Sequence, residues 1–265
     1  MIPLLLAEGV GLSLAMAGAW WFQRRMRNAG WVDVVWTFAT GTAAVIGALW
    51  PSTEGFTPRR LAVAALAAAW AMRLGLHLRA RVMTRPEDRR YAGFRVEWGS
   101  DFEVRLFWFL QIQAAAAWPL AIAMTVAARN PAASFGVADF AALVVIVVSV
   151  LGAGIADRQL ARFVSDPGNK GRVCDSGLWT WSRHPNYFLE FLGWCAWPLF
   201  AFNLDWPWWW LALPAPVLMY WLLVHVSGIP PLEKAMLETR GDAYRAYQRR
   251  TRPLLPLPIR RKANP

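Results

Sequence analysis

Phe140-Ala141-Ala142-Leu143-Val144-Val145-Ile146-Val147-Val148-Ser149-Val150-Leu151-Gly152-Ala153-Gly154-Ile155-Ala156 runs without a charged side chain, and Asp157-Arg158 closes it. About 20 mainly apolar residues in a helix cross a bilayer core, and only a helix or a closed barrel satisfies its own backbone there. Working outward, the same reading marks seven apolar segments, near 3–22, 31–50, 58–80, 103–127, 137–162, 186–203 and 207–226. The sixth is interrupted by Glu190 and carries Pro198, a site for a kink. No Lys or Arg precedes the first segment, so residues 3–22 read as a retained helix rather than a secretory signal.

Composition agrees. The chain is 57% hydrophobic and only 17% charged, where a soluble domain carries about 25% charged residues. Its 18 Trp gather at segment ends such as Trp20-Trp21 and Trp206 to Trp210, where an indole meets the membrane interface with an apolar face and an N–H donor. With the N-terminus outside, all but four of the 28 Lys and Arg (Arg59, Arg60, Arg73 and Arg129) fall in inner loops or the tail. The positive-inside rule therefore places the N-terminus outside and the C-terminus in the cytoplasm. The net charge of +11 is explained by topology and anionic lipid, with no nucleic acid required. Cys174 and Cys195 follow no metal-ligand spacing and read as inert thiols. The expected fold is all-α: one polytopic membrane domain, residues 1–265, with about seven transmembrane helices.

Ionisable groups at membrane depth are costly and mark function until a partner is named. Asp33 lies near the start of the second segment, in Gly30-Trp31-Val32-Asp33-Val34-Val35-Trp36. Arg73 and His77 share a face of the third, with Trp70 three residues before Arg73 on the same stripe. Pairing of Asp33 with Arg73 is the structural reading of that pair. The densest signal begins at Asp157 and continues through Pro167-Gly168-Asn169-Lys170-Gly171-Arg172. It ends in Ser176-Gly177-Leu178-Trp179-Thr180-Trp181-Ser182-Arg183-His184-Pro185-Asn186-Tyr187-Phe188-Leu189-Glu190, with Trp194 beyond. A Gly-rich inner loop with cations and free backbone N–H groups, leading into a helix with Asn and Glu, suits a bulky anionic ligand such as a nucleotide pyrophosphate. The tail adds Ser227-Gly228-Ile229-Pro230-Pro231-Leu232-Glu233 and Tyr244-Arg245-Ala246-Tyr247-Gln248-Arg249-Arg250-Thr251. Interleaved Tyr and Arg there can stack on a base and pair with a phosphate, or line an interfacial helix. Arg85-Pro86-Glu87-Asp88-Arg89-Arg90-Tyr91 is a further inner-face cluster that can close a site.

The stretch Ser176–Glu190, with Arg172 before it and Trp194 after it, resembles the C-terminal region of the steroid 5-alpha-reductase superfamily, in its bacterial branch carrying Arg-His-Pro-Asn-Tyr. The Ser-Gly-Ile-Pro-Pro-Leu-Glu stretch and the Tyr-x-x-Tyr-x-x-Arg-Thr pattern belong to the same resemblance, which covers about residues 153–258. It implies a seven-helix enzyme that binds NADPH from the cytosolic side and reduces a carbon–carbon double bond conjugated to a ketone. On that reading residues 1–150 form the substrate side and 151–265 the cofactor side. Asp157, Arg172, Asn186, Glu190, Trp194 and Tyr247 would line the cofactor pocket, with Arg183, His184, Tyr187 and Arg249 beside them. The chain departs from the family pattern in its first half: of the early Gln-Glu pair, Asp33 stands in for the Glu, and Trp70 stands where a Tyr precedes the helical Arg.

The implied chemistry is hydride transfer to the β-carbon of the enone, with a donor stabilising the oxygen as negative charge builds on it. Asp33, kept neutral by an apolar site, is the expected donor, assisted by Arg73 or Tyr91. The substrate is expected to be lipophilic, steroid- or isoprenoid-like, and drawn from the bilayer of a bacterial inner membrane, with no obligate protein partner. The alternative is an S-adenosylmethionine-dependent membrane methyltransferase of the isoprenylcysteine carboxyl methyltransferase type, which shares Arg-His-Pro-x-Tyr.

Overall fold

The structure, a computed structural model, describes residues 1–51, 56–84 and 86–257. Arg85 and the tail from Pro258 onward, both part of the expected inner-face charge, lie outside the described residues. Among the described residues the chain is helical. It contains no strand, only an isolated parallel bridge between Ser182 and Arg252. The helices are α1 (Ile2–Met26), α2 (Trp31–Leu49), α3 (Thr57–Thr84), α4 (Arg89–Trp98), α5 (Phe102–Ala128), α6 (Val137–Ser165), α7 (Pro185–Trp194), α8 (Ala196–Ala201), α9 (Pro214–Trp221) and α10 (Ile229–Arg250).

Among the described residues, six helical stretches are long and apolar enough to cross a membrane. They are α1, α2, α3, α4 running on into α5, α6, and the stretch Trp209–Arg250 that contains α9 and α10. The segment expected at 186–203 is divided instead, with α7 ending at Trp194 and α8 starting at Ala196. Pro198 explains the break: it has no N–H, and in a continuous helix its ring would meet the carbonyl four residues back, that of Trp194. The outward surface is apolar, as lipid contact requires: on α6, Phe140, Val144 and Leu151 are each about 60% exposed.

The chain divides into two compact units. The first comprises Met1–Ala142 and Trp197–Ala215. In it α2 and α3 approach closely because small residues face large or small ones. Gly41 lies against Ala71, and Gly75 lies under the ring of Phe38. Trp118 on α5 donates its indole N–H to the Leu5 carbonyl of α1 at 2.7 Å, and Trp20 on α1 donates to the Glu103 carbonyl at 2.8 Å. Arg59, at the start of α3, is fully buried. Its five N–H donors meet five acceptors: both Asp139 oxygens at 2.9 and 2.8 Å and the carbonyls of Asn130, Ala132 and Ser134. A buried guanidinium is tolerated only when its donors are satisfied in this way.

The second unit comprises Leu143–Ala196 and the chain from Pro216 onward. Here α6 and α7 pack through glycines. A side chain at Gly152 would press on Leu189, and one at Gly193 would overlap Ser149, whose hydroxyl donates to the Leu189 carbonyl at 2.6 Å. Five residues at Leu222–Val226 form a π-helical turn before α10. Cys174 and Cys195 are free thiols.

Candidate functional site

In the second unit the Gly-rich loop is shaped by its own side chains. Asp166 accepts from the Gly168 N–H at 2.8 Å, and Gly171 and Gly177 take positive φ angles of 85° and 62° that favour glycine. Arg172 is exposed, touches Asn169 Oδ1 at 3.3 Å, and its carbonyl accepts from Arg240. Lys170 and Arg249 are also exposed. The loop returns to α6 through Gln159, which accepts from the Leu178 N–H, and through Trp179, whose indole donates to the Ala156 carbonyl.

Pro185 opens α7, a position where its missing N–H costs nothing. Asn186, Glu190 and Trp194 follow at spacings of four, so they share one face of that helix. Asn186 donates to Asp157 Oδ1 on α6 at 3.1 Å, and the buried Trp194 donates to Glu190 Oε1 at 3.1 Å. Four of the expected cofactor residues are thus joined in two pairs along one helix face. Arg172 and Arg249 sit on exposed loop and tail positions of the same unit.

The remaining expected residues are drawn into a different structure. Arg183 is 8% exposed and donates to Glu233 Oε1 at 2.6 Å, to the Gln248 carbonyl at 3.3 Å and to the Thr251 carbonyl. Gln248 donates to the second Glu233 oxygen at 2.8 Å. The Arg183 N–H reaches the Arg252 carbonyl, and the Ser182 hydroxyl reaches that of Leu254. The hydroxyl of buried Tyr247 points to the carbonyls of Trp179 and Ser182. His184 stacks on Tyr187 and lies 3.3 Å from Glu233. Burial holds the His184 imidazole below its ordinary range. Glu233 opposes that effect and Arg183 adds to it, so the ring is neutral and donates Nε2–H to the carboxylate. This knot binds the tail to the motif loop. Glu233 and Gln248 are its centre, and their spacing of 15 residues gives no local signal in the sequence.

In the first unit Asp33 lies in the first turn of α2, where the helix dipole favours a carboxylate. Its hydrogen bonds come from Arg90 at 2.6 Å and from the Tyr91 hydroxyl at 2.9 Å, both on α4. The structure therefore brings two of the three expected catalytic residues together, with Arg90 as the ion-pair partner in place of Arg73. Arg73 stands half-buried on α3. Asp88 caps α4 by accepting from the Arg90 N–H and pairs with Arg81 at 2.6 Å, while Glu87 accepts from the Ala29 N–H at 2.8 Å. Burial works against a charged Asp88, yet Arg90 and Arg81 hold its carboxyl below the usual range. Tyr91 is almost fully buried in a core that includes Met16, Ala29, Val32, Phe102 and Leu106. In this geometry Asp33 is an acceptor twice over, and the Tyr91 hydroxyl proton points at its carboxylate.

Compared with known families, the chain matches the family model described as a protein of unknown function, DUF1295, over residues 19–251. That family is steroid 5-alpha-reductase-like. No curated protein and no solved structure matches the chain.

Proposed function

The chain belongs to the DUF1295 family, and on that premise we propose that it is an NADPH-dependent reductase of a carbon–carbon double bond conjugated to a ketone in a lipophilic, steroid- or isoprenoid-like substrate. We place it in a bacterial inner membrane, N-terminus outside, with the cofactor taken from the cytoplasm. The observation that carries this reading is the polar stripe Asn186–Glu190–Trp194 with Asp157, on a helix entered from a loop bearing Lys170 and Arg172. The donor set fits a dinucleotide: exposed cations for its phosphates, and an amide and a carboxylate for its less charged end. Arg183 and Tyr247, whose hydrogen bonds are made within the protein, support the loop from behind.

When bound, NADPH supplies the hydride. The chain's own contribution is orientation and proton handling. Arg172, Lys170 and Arg249 would hold the phosphates, and Asn186 and Glu190 would hold the less charged end. Reduction leaves negative charge on the ketone oxygen and needs a proton at the α-carbon. We assign Tyr91 as the proton donor, Asp33 as the acceptor that orients its hydroxyl, and Arg90 as the positioning cation, with Arg73 assisting from α3. This reverses the expected roles of Asp33 and Tyr91, because a carboxylate already accepting from an arginine and a phenol has no proton to give.

Asn186→Ala and Glu190→Ala test the reading. Each should weaken NADPH binding about tenfold, the value of one hydrogen bond to a charged or buried partner, while membrane insertion is retained. Equal NADPH affinity in the wild type and both variants would remove the stripe from the cofactor site.

A further inference from the structure

Glu8 is the sole acid in the apolar run of α1, and it precedes the stretch matched to the family. It is 5% exposed. Its Oε1 accepts from the hydroxyl of the fully buried Thr125 on α5 at 2.6 Å, while its Oε2 is buried and has no hydrogen-bond partner. Gly47 of α2 completes the junction: a side chain there would overlap both the Thr125 hydroxyl and Glu8 Oε1. The carboxyl is thus pressed against helix backbone on one side and a neutral hydroxyl on the other.

Two cations stand near this end of α2. Arg129, from the end of α5, faces the carboxyl electrostatically and donates to the carbonyls of Gly47 and Trp50. Arg60 of α3 donates to the carbonyls of Ala48 and Trp50. The described outer half of α2 contributes no titratable side chain, since Asp33 lies in its first turn. Both cations cap the C-terminal carbonyls of α2, as its dipole favours.

We propose that the junction of α1, α2 and α5 is a proton-binding site, in which Glu8 carries its proton on Oε2 while the helices are packed and loses it only when they part. An ionised carboxylate would leave a charged oxygen without a donor in a site closed to water, whereas the neutral acid leaves only an O–H without an acceptor. The second cost is much the smaller. Thr125 donating to Oε1 suits either form, and Gly47 leaves no room for a compensating side chain. The proposal stands apart from the cofactor reading and touches none of its residues.

The full-length protein in a detergent lacking ester groups, studied by infrared spectroscopy in water and heavy water, tests it. At neutral pH the wild type should show the carbonyl stretch of a protonated carboxylic acid, shifted in heavy water and absent from Glu8→Gln. Thr125→Val should move that band, because the hydrogen bond to the carbonyl oxygen is lost. As pH is raised above the ordinary carboxylate range toward neutrality, the wild-type melting temperature should fall relative to Glu8→Gln, which mimics the neutral acid. Superimposable bands in wild type and Glu8→Gln would overturn the proposal. So would a Glu8→Gln protein that fails to fold or melts far below wild type at neutral pH, since either would show that the charge is required.

Discussion

The Arg183–Glu233 knot and the Asp33–Arg90–Tyr91 cluster are each built on an arginine–carboxylate pair but stand differently toward their surroundings. Arg183 is 9% exposed in its side chain and Glu233 16%; their remaining hydrogen bonds reach His184, Gln248 and the Thr251 carbonyl. Arg90 and Asp33 are 31% and 24% exposed, and the hydroxyl beside them belongs to a side chain that can exchange a proton. A buried arginine tied to a carboxylate and two tail carbonyls next to a motif histidine is a fastener. A partly exposed ion pair that holds a phenol is the arrangement the proposed proton transfer requires.

Breaking the fastener should have the largest effect. Glu233→Ala leaves Arg183 charged and buried without its carboxylate, and the second unit should lose about 3–5 kcal/mol of stability, read as a large drop in melting temperature. An unchanged melting temperature would mean that the knot holds nothing. The Asp33 cluster should answer differently. Tyr91→Phe should lower enone turnover about 10²-fold or more with NADPH affinity unchanged, the size expected for loss of a general acid. Asp33→Asn should lower turnover in the same direction. If both variants turn over substrate at the wild-type rate, the acid lies elsewhere.

A smaller effect sharpens the same contrast through pH. His184 titrates below its ordinary value because it is buried, so the unfolded chain takes up a proton at a pH where the folded one does not. Its contribution to stability is complete above the ordinary imidazole range and is lost as pH falls below it, by at most about 1.4 kcal/mol per pH unit. Thermal unfolding of wild type and His184→Asn between neutral and mildly acidic pH measures this. The wild type should lose stability faster, and parallel curves would show that His184 titrates as an exposed imidazole does.

Much of the fold was legible because a bilayer imposes a coarse rule. Long uncharged runs such as 140–156 must be helices, and α6 is one. The exception is local: Pro198 predicts a kink, but the structure divides the segment at Trp194 and Ala196. For the site, Asp33 was visible as an acid beside an apolar run and Tyr91 as part of a charged inner loop. Their bond was not visible, since Asp33 and Tyr91 are 58 residues apart and only the fold brings the first turn of α4 to the first turn of α2. Arg73 looked the natural partner because it too lies in an apolar segment. Arg90 won because the Asp88 cap sets the first turn of α4 so that Arg90 faces the Asp33 carboxylate. Glu8 and the Arg59–Asp139 pair were missed for different reasons. Arg59 was counted only as a charge outside the inner loops, although a complete set of acceptors buries it. Glu8 offered a signal that was overlooked: a lone acid at membrane depth.

The melting temperature of the detergent-purified full chain, measured with NADPH and with S-adenosylmethionine, bears most directly on the cofactor assignment. A ligand that binds only the folded form and is present at 100 times its dissociation constant stabilises by about 2.7 kcal/mol. NADPH should raise the melting temperature, Asn186→Ala should blunt that rise, and S-adenosylmethionine should leave it unchanged. A rise with S-adenosylmethionine and none with NADPH would contradict the account and give the α7 stripe to a methyl donor.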